Sequence, residues 1–189
     1  MKTAAAVGDL LENAGRLVDR RSMVWFRRLA VPLGDVWNAV STRDGLRGWW
    51  MRPEKIEIDL RPGGVFRHHW DSTVLEVQDR AVIAYAEMRF ELQPDGDATL
   101  FAFVARWSPD YAPPPSDVPE GALPTRQPGG PGTPTSDVCA GWHGAIDALQ
   151  KALTGKSSRH TWEEGCQFYE AYLADLVAWA SEPASGSRG

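Results

Sequence analysis

Between Lys55 and Trp107 the chain alternates apolar and polar residues in short runs separated by turn-forming clusters, a pattern that admits little besides an antiparallel meander. In Lys55 to Arg61 the apolar Ile56, Ile58 and Leu60 point one way, while Lys55, Glu57, Asp59 and Arg61 point the other. Pro62-Gly63-Gly64 then supplies the fixed and the positive φ of a tight turn, so the next run, Val65 to Trp70, returns antiparallel. Further strands are predicted over Thr73 to Gln78, Ala81 to Glu87, Met88 to Gln93 and Ala98 to Trp107, the last two joined by Pro94-Asp95-Gly96-Asp97.

Helical periods flank this meander. Val7, Leu10, Leu11, Ala14, Leu17 and Val18 predict a short amphipathic helix from Val7 to Val18, weakened by Gly8 and Gly15. Met23 to Leu29 reads as a first strand apolar on both faces, as a covered strand is. Two short helices follow, one holding Val36, Trp37 and Val40 after Pro32, the other running through Leu46, Trp49 and Trp50 with Thr42 as its cap. Residues Ser108 to Ser136 hold nine Pro and four Gly and read as a long irregular loop. Trp142, Ile146, Leu149 and Leu153 then mark a helix that Thr154-Gly155 ends, and a last helix is predicted from Trp162 to Ala180.

Composition narrows the function. A chain of 189 residues suits one domain with extensions. The net charge of −5 leaves no basic excess for a phosphate backbone, so nucleic acid is not an expected partner. No apolar stretch approaches the roughly 20 residues that span a bilayer. The 2 cysteines, Cys139 and Cys166, sit on separate helical patterns, which suits reduced thiols and a cytoplasmic location. Nine Trp exceed what packing alone usually recruits, which points to an aromatic core or pocket.

Several segments together resemble the SRPBCC superfamily, the START-like helix-grip proteins, and within it the branch named after the activator of the heat-shock-protein-ninety ATPase. They are Ala30-Val31-Pro32 leading to Val36-Trp37, Leu46 leading to Trp49-Trp50, Asp59 to Gly64, Val74-Leu75-Glu76-Val77, and Gly141-Trp142-His143 with Asp147. The resemblance implies an α+β helix-grip fold, a curved antiparallel sheet of six to seven strands wrapped on a long C-terminal helix. The expected organisation is an N-terminal extension over 1–22, the domain over 23–155, an additional helix over 156–182 and a tail over 183–189. Ser72, where relatives usually carry Gly, the 108–136 stretch and the extra helix depart from the family pattern.

Such proteins enclose a cavity between sheet and helix, so an apolar or amphipathic small molecule is the expected partner. If Phe66 faces inward as the resemblance implies, alternation sends His68 and Trp70 inward too, with Arg67 and His69 outward. The expected wall combines Trp37, Trp50 and Trp142 with Tyr85, Phe90, Phe101 and Phe103, and with His143 and Ile146 from the gripping helix. Gly141 is read as letting that helix approach the sheet closely. His68 and His69 point to opposite faces and cannot chelate one ion, and neither Cys pairs with a His at zinc-site spacing, so no metal or cofactor is expected.

His143 and Asp147, four apart on a helix, read chiefly as a helix-stabilising pair. A cyclase- or hydrolase-type enzyme using His143 or His68 is the weakest alternative, because no complete catalytic constellation is visible. A co-chaperone-like interaction module is the other: Phe168, Tyr172 and Trp179 fall outside the inner stripe of the last helix and suit a homodimer or chaperone contact.

Overall fold

The alternating runs pair into one eight-stranded antiparallel sheet. The computed structural model describes residues 10–19, 22–50, 53–68, 71–106, 134–156 and 161–181, with the backbone alone at 17, 19, 53, 134–137, 162 and 173–181. The strands are β1 (Arg16–Asp19), β2 (Ser22–Leu29), β3 (Glu57–Ile58), β4 (Val65–Arg67), β5 (Asp71–Gln78), β6 (Val82–Tyr85), β7 (Met88–Asp95) and β8 (Ala98–Arg106). Their order is β1-β2-β8-β7-β6-β5-β4-β3, so among the described residues the only paired strands not consecutive in the chain are β2 and β8. That pairing runs in continuous register from Ser22↔Arg106 to Leu29↔Thr99.

Between β2 and β3 lie α1 (Leu33–Ser41) and α2 (Arg43–Arg47). The Thr42 hydroxyl accepts the Gly45 N–H at 3.0 Å, capping α2 as its sequence suggested. α3 (Pro134–Thr154) lays Cys139, Ala140, His143, Ile146 and Leu149 into the core and ends at Gly155, whose φ of 72° closes the last turn with N–H to Lys151 C=O at 2.8 Å. α4 (Trp162–Ser181) opens with a reciprocal cap that the sequence reading overlooked. The Thr161 N–H donates to Glu164 Oε2 at 2.8 Å, and the Glu164 N–H donates to Thr161 Oγ1 at 3.2 Å. Sheet, gripping α3 and outer α4 make a helix-grip fold.

Three expectations need correction. The segment expected to be helical from Val7 to Val18 has a helical turn over 10–13 and then enters the sheet as β1, so the sheet gains an eighth strand. Gly15 is the reason: a Cβ there would lie 2.5 Å from Met23 Sδ and 2.5 Å from Trp25, so only glycine lets the chain pass this close to β2. The expected strand from Lys55 to Arg61 shrinks to Glu57–Ile58, preceded by a 3₁₀ turn over Pro53–Lys55. The chain already folds back at Asp59, whose carbonyl accepts the Arg61 N–H at 2.9 Å. Third, Gly141 does not mediate a close approach, since a Cβ there would meet nothing within 4 Å.

One irregularity shapes the inner face. The β5–β6 register shifts between Val74 and Glu76, leaving Leu75 57% exposed while Val74 is buried and Val77 packs on the core. Simple alternation would have sent Glu76 inward after Val74.

Candidate functional site

Strand alternation places Phe66, Tyr85, Phe90 and Phe103 on the inner face, and all four are buried. Trp50 enters from the segment after α2, and half-buried Trp142 comes down from α3. These six rings form a closed circuit of contacts. Centroids are separated by 5.1 Å for Phe90–Phe103, 4.9 Å for Phe103–Trp142, 5.8 Å for Trp142–Trp50, 5.2 Å for Trp50–Phe66, 5.1 Å for Phe66–Tyr85 and 6.2 Å for Tyr85–Phe90. Trp49 bridges Trp50 and Phe90, at 4.9 and 6.5 Å. Most pairs are tilted or edge-on, the arrangements that ring quadrupoles favour.

Polar atoms interrupt this apolar surround. Trp50 Nε1 and Tyr85 Oη are both buried and, among the described residues, neither has a hydrogen-bond partner. Burial and, secondarily, the charge of Glu87 push the Tyr85 hydroxyl pKa up from its ordinary value, so it keeps its proton. His68 is 3% exposed and lies against Trp50 and Phe66, with centroids 5.4 and 4.5 Å away. Its Nε2 is 3.3 Å from Ser72 Oγ, and Ser72 donates its hydroxyl proton to Glu87.

Proton placement in the His68, Ser72 and Glu87 group bears on chemistry. A nucleophilic serine gives its proton to histidine, with the carboxylate behind the imidazole. Here the serine lies between the two and its proton goes to the carboxylate, so His68 Nε2 is the donor to Ser72. The arrangement fixes a polar ring in an apolar wall. Sequence reading missed Ser72 as a partner; the β4–β5 register, pairing Phe66 with Ser72, brings it beside His68.

His143 belongs to a second, separate cluster. Tyr169 Oη accepts the Gly15 N–H and the Trp25 Nε1–H, both at 2.9 Å, and this occupies its two lone pairs. Its own proton therefore goes to His143 Nδ1 at 2.8 Å, while Arg27 NH2 stands 3.5 Å from His143 Nε2. Nε2 faces Asp147 Oδ2 at 3.5 Å, and Arg27 reaches Asp147 Oδ1 at 3.3 Å. Arg27 NH1 also donates to the Asn13 and Phe26 carbonyls at 2.8 and 3.0 Å. The cluster ties the N-terminal segment, β2, α3 and α4 together. The period of the last helix turns Tyr169 inward, as the structure has it, but neither Tyr169 nor Arg27 is expected in a polar cluster, although Arg27 shares the face of Trp25 and Leu29 in the alternation of β2.

The remaining expected wall residues fall around the circuit. Phe101 joins through Phe90 at 6.0 Å, Ile146 is buried in the same core, and Trp37 is half-buried against it. Trp70, Trp107, His69 and residues 107–133 lie outside the described residues. On the outer face of the sheet a hollow of about 540 Å³ opens beside Phe26 and Leu100, which are 59% and 41% exposed. Cys139 and Cys166 are buried free thiols, and burial, with Cys166 nearby, pushes the Cys139 pKa up. No helix among the described residues is long and apolar enough to cross a membrane.

Fold and interior define a helix-grip protein whose sheet and gripping helix meet in an aromatic core. The model of the Activator of Hsp90 ATPase homolog 1-like protein family matches residues 30–154, and the chain belongs to that family. A conserved protein of unknown function from Enterococcus faecalis, EF2215, superposes with a TM-score of 0.63 over 91% of this chain and 96% of its own, at 14% identity. CalU16 from Micromonospora echinospora gives 0.57 over 89% and 94%, at 19% identity. Protein NE0264 from Nitrosomonas europaea gives 0.50 over 74% and 97%, at 20% identity. These likenesses show the shared fold. No curated protein matches the chain. The family is one of ligand-binding or protein-interaction modules.

Proposed function

We propose that this protein binds a small hydrophobic or amphipathic molecule between the inner face of the sheet and α3. The observation that carries the reading is the closed aromatic circuit in which two buried polar atoms, Trp50 Nε1 and Tyr85 Oη, have no partner among the described residues. A core built only for stability pairs such atoms or replaces them, because an unmet buried donor costs about 1–3 kcal/mol. Ligand sites are mostly apolar with a few placed polar groups, and this interior has that composition. The buried free thiols fit a reducing, cytoplasmic setting.

Native mass spectrometry of freshly purified protein tests the reading. A mass excess that denaturation releases is the expected result. An apo mass, together with tryptophan emission unmoved by a panel of apolar probes, refutes it.

A protein contact on α4 is the second reading. It is supported by Phe168 and Tyr172, which stack at 5.6 Å and 12° and stay half-buried on the core rather than covered. Light scattering and a chaperone pull-down with Phe168→Ala and Tyr172→Ala variants test it; unchanged mass and retention in both variants remove it.

A further inference from the structure

We propose that His143 is an acid-sensitive catch: it holds the N-terminal segment, residues 10–19, on the sheet at neutral pH and releases it when the ring becomes an imidazolium.

The fastenings of that segment lead to this ring. The Gly15 N–H donates to Tyr169 Oη at 2.9 Å, and the Asn13 carbonyl accepts Arg27 NH1 at 2.8 Å. Tyr169 Oη and Arg27 NH2 are also the groups at the two ring nitrogens, 2.8 Å from Nδ1 and 3.5 Å from Nε2. β1 itself is short, and its register with β2 shifts between Leu17 and Asp19.

Protonation works against both fastenings. Tyr169 Oη accepts from the Gly15 N–H and from Trp25 Nε1, which fills its two lone pairs and points its own proton at Nδ1. An imidazolium carries a proton at Nδ1 too, so Tyr169 has to turn its hydroxyl and give up one donor. Trp25 is fully buried and packs on Phe103 at 5.9 Å, whereas Gly15 enters β1 at the edge of the sheet, so Gly15 is the one that leaves. At Nε2 the new charge stands beside the Arg27 guanidinium. Asp147, 3.5 Å from Nε2 and 3.3 Å from Arg27, then has two cations competing for one carboxylate. Cys139 and Cys166 lie about one turn before His143 and Tyr169; burial keeps the Cys139 thiol protonated, so it brings no charge to offset this. The N-terminal segment meets the cluster through the Asn13 carbonyl and the Gly15 N–H, both uncharged.

Release changes the surface. Gly15 lies directly on Trp25, since a Cβ there would stand 2.5 Å from the indole, so departure of the segment uncovers Trp25 and bares β2 from Ser22 to Val24. The open form takes its proton as a solvated histidine does, below about pH 6.5. Opening should therefore gain roughly tenfold per pH unit below that point.

Hydrogen–deuterium exchange of the intact protein at about pH 7.5 and about pH 5, corrected for the intrinsic pH dependence of amide exchange, tests the catch. Peptides from 10–19 should lose protection about thirtyfold at the lower pH, while β7 and β8 in the same sample keep theirs. His143→Gln offers Tyr169 an amide oxygen that takes up no proton in this range, so its 10–19 peptides should stay protected at both pH values. Tyr169→Phe, checked for folding by near-ultraviolet circular dichroism, should leave 10–19 poorly protected already at neutral pH and blunt the acid response. Full protection of 10–19 in the unaltered protein near pH 5 overturns the proposal. So does loss of protection in all strands together, which is global acid unfolding. A His143→Gln protein that still opens in acid overturns it by moving the response to another group, Asp147 being the nearest carboxylate shown, and a Tyr169→Phe protein with the unaltered acid response does the same.

Discussion

Tyr85 and Tyr169 are both buried, both set among aromatic rings and both pushed up in pKa by burial, yet their hydroxyls meet opposite fates. Tyr169 Oη takes two donors and gives its proton to a third group, His143. Tyr85 Oη meets none among the described residues. Side-chain type, burial and aromatic company are the same at the two places, so only the hydrogen-bond accounting separates a structural tyrosine from a candidate binding one. One is the knot of a latch between four segments; the other stands in the aromatic wall.

Removing the Tyr169 hydroxyl should have the largest effect. Tyr169→Phe leaves the Gly15 N–H, the Trp25 Nε1–H and His143 Nδ1 each without its present partner in a buried setting. With each lost bond worth about 1 kcal/mol net, a loss of about 3 kcal/mol is expected as a lower denaturant midpoint. A loss under 1 kcal/mol would mean that water or a neighbour replaces the hydroxyl and that the latch is no knot.

The contrast between the two tyrosines also marks what could be read from the chain alone. Strands β2 and β4 to β8 and α2 with its Thr42 cap follow from alternation and turn chemistry, which are local, while the family resemblance supplied which face of the sheet Phe66 and its neighbours line. Arg27 lay on the correct face of β2 in that same pattern but was passed over, because a charged residue on a strand is usually solvated. Its burial makes sense only once α3 brings Asp147 to it. The period of the last helix turns Tyr169 inward, but its meeting with Trp25, 144 residues away in the chain, comes only from the packing of α4. Gly15 was weighed as a weak spot in a helix; its real constraint is the bulk of Trp25 across the sheet. Proximity within a strand or helix was legible, then, and the crossing partners that complete each cluster were not.

Next in size is Tyr85→Phe, and its sign is reversed. The variant removes a buried hydroxyl that has no partner among the described residues, so the ligand-free protein should gain about 1–2 kcal/mol in denaturant unfolding. A destabilised Tyr85→Phe protein would show that its hydroxyl is satisfied in solution and would erase the difference from Tyr169.

Alkaline pH probes both tyrosines at once. Each has a folded pKa raised above its ordinary 10.0, so the folded state holds a proton that the unfolded state releases. Their contribution is complete below pH 10 and is lost as pH rises from there towards the folded values. Cys139, raised from 9.0, starts the decline about one unit earlier. Each group should add about 1.4 kcal/mol of lost stability per pH unit while its unfolded form is ionised and its folded form is not. Urea unfolding between pH 8 and 11 measures this, and Tyr85→Phe should reduce the slope by one proton. An unaltered slope would place the Tyr85 hydroxyl in contact with solvent.

The smallest effect concerns the helix that serves both clusters. Trp142 and His143 are adjacent on α3 but turn to different ends of the interior, Trp142 into the aromatic circuit and His143 onto Tyr169. Gly141 precedes them with open space where a Cβ would stand. Gly141→Ala should therefore stabilise the protein by about 0.5–1 kcal/mol through helix propensity alone, with the alkaline slope unchanged. If it destabilises instead, the helix must approach a neighbour at this point, and the two clusters are coupled through its position.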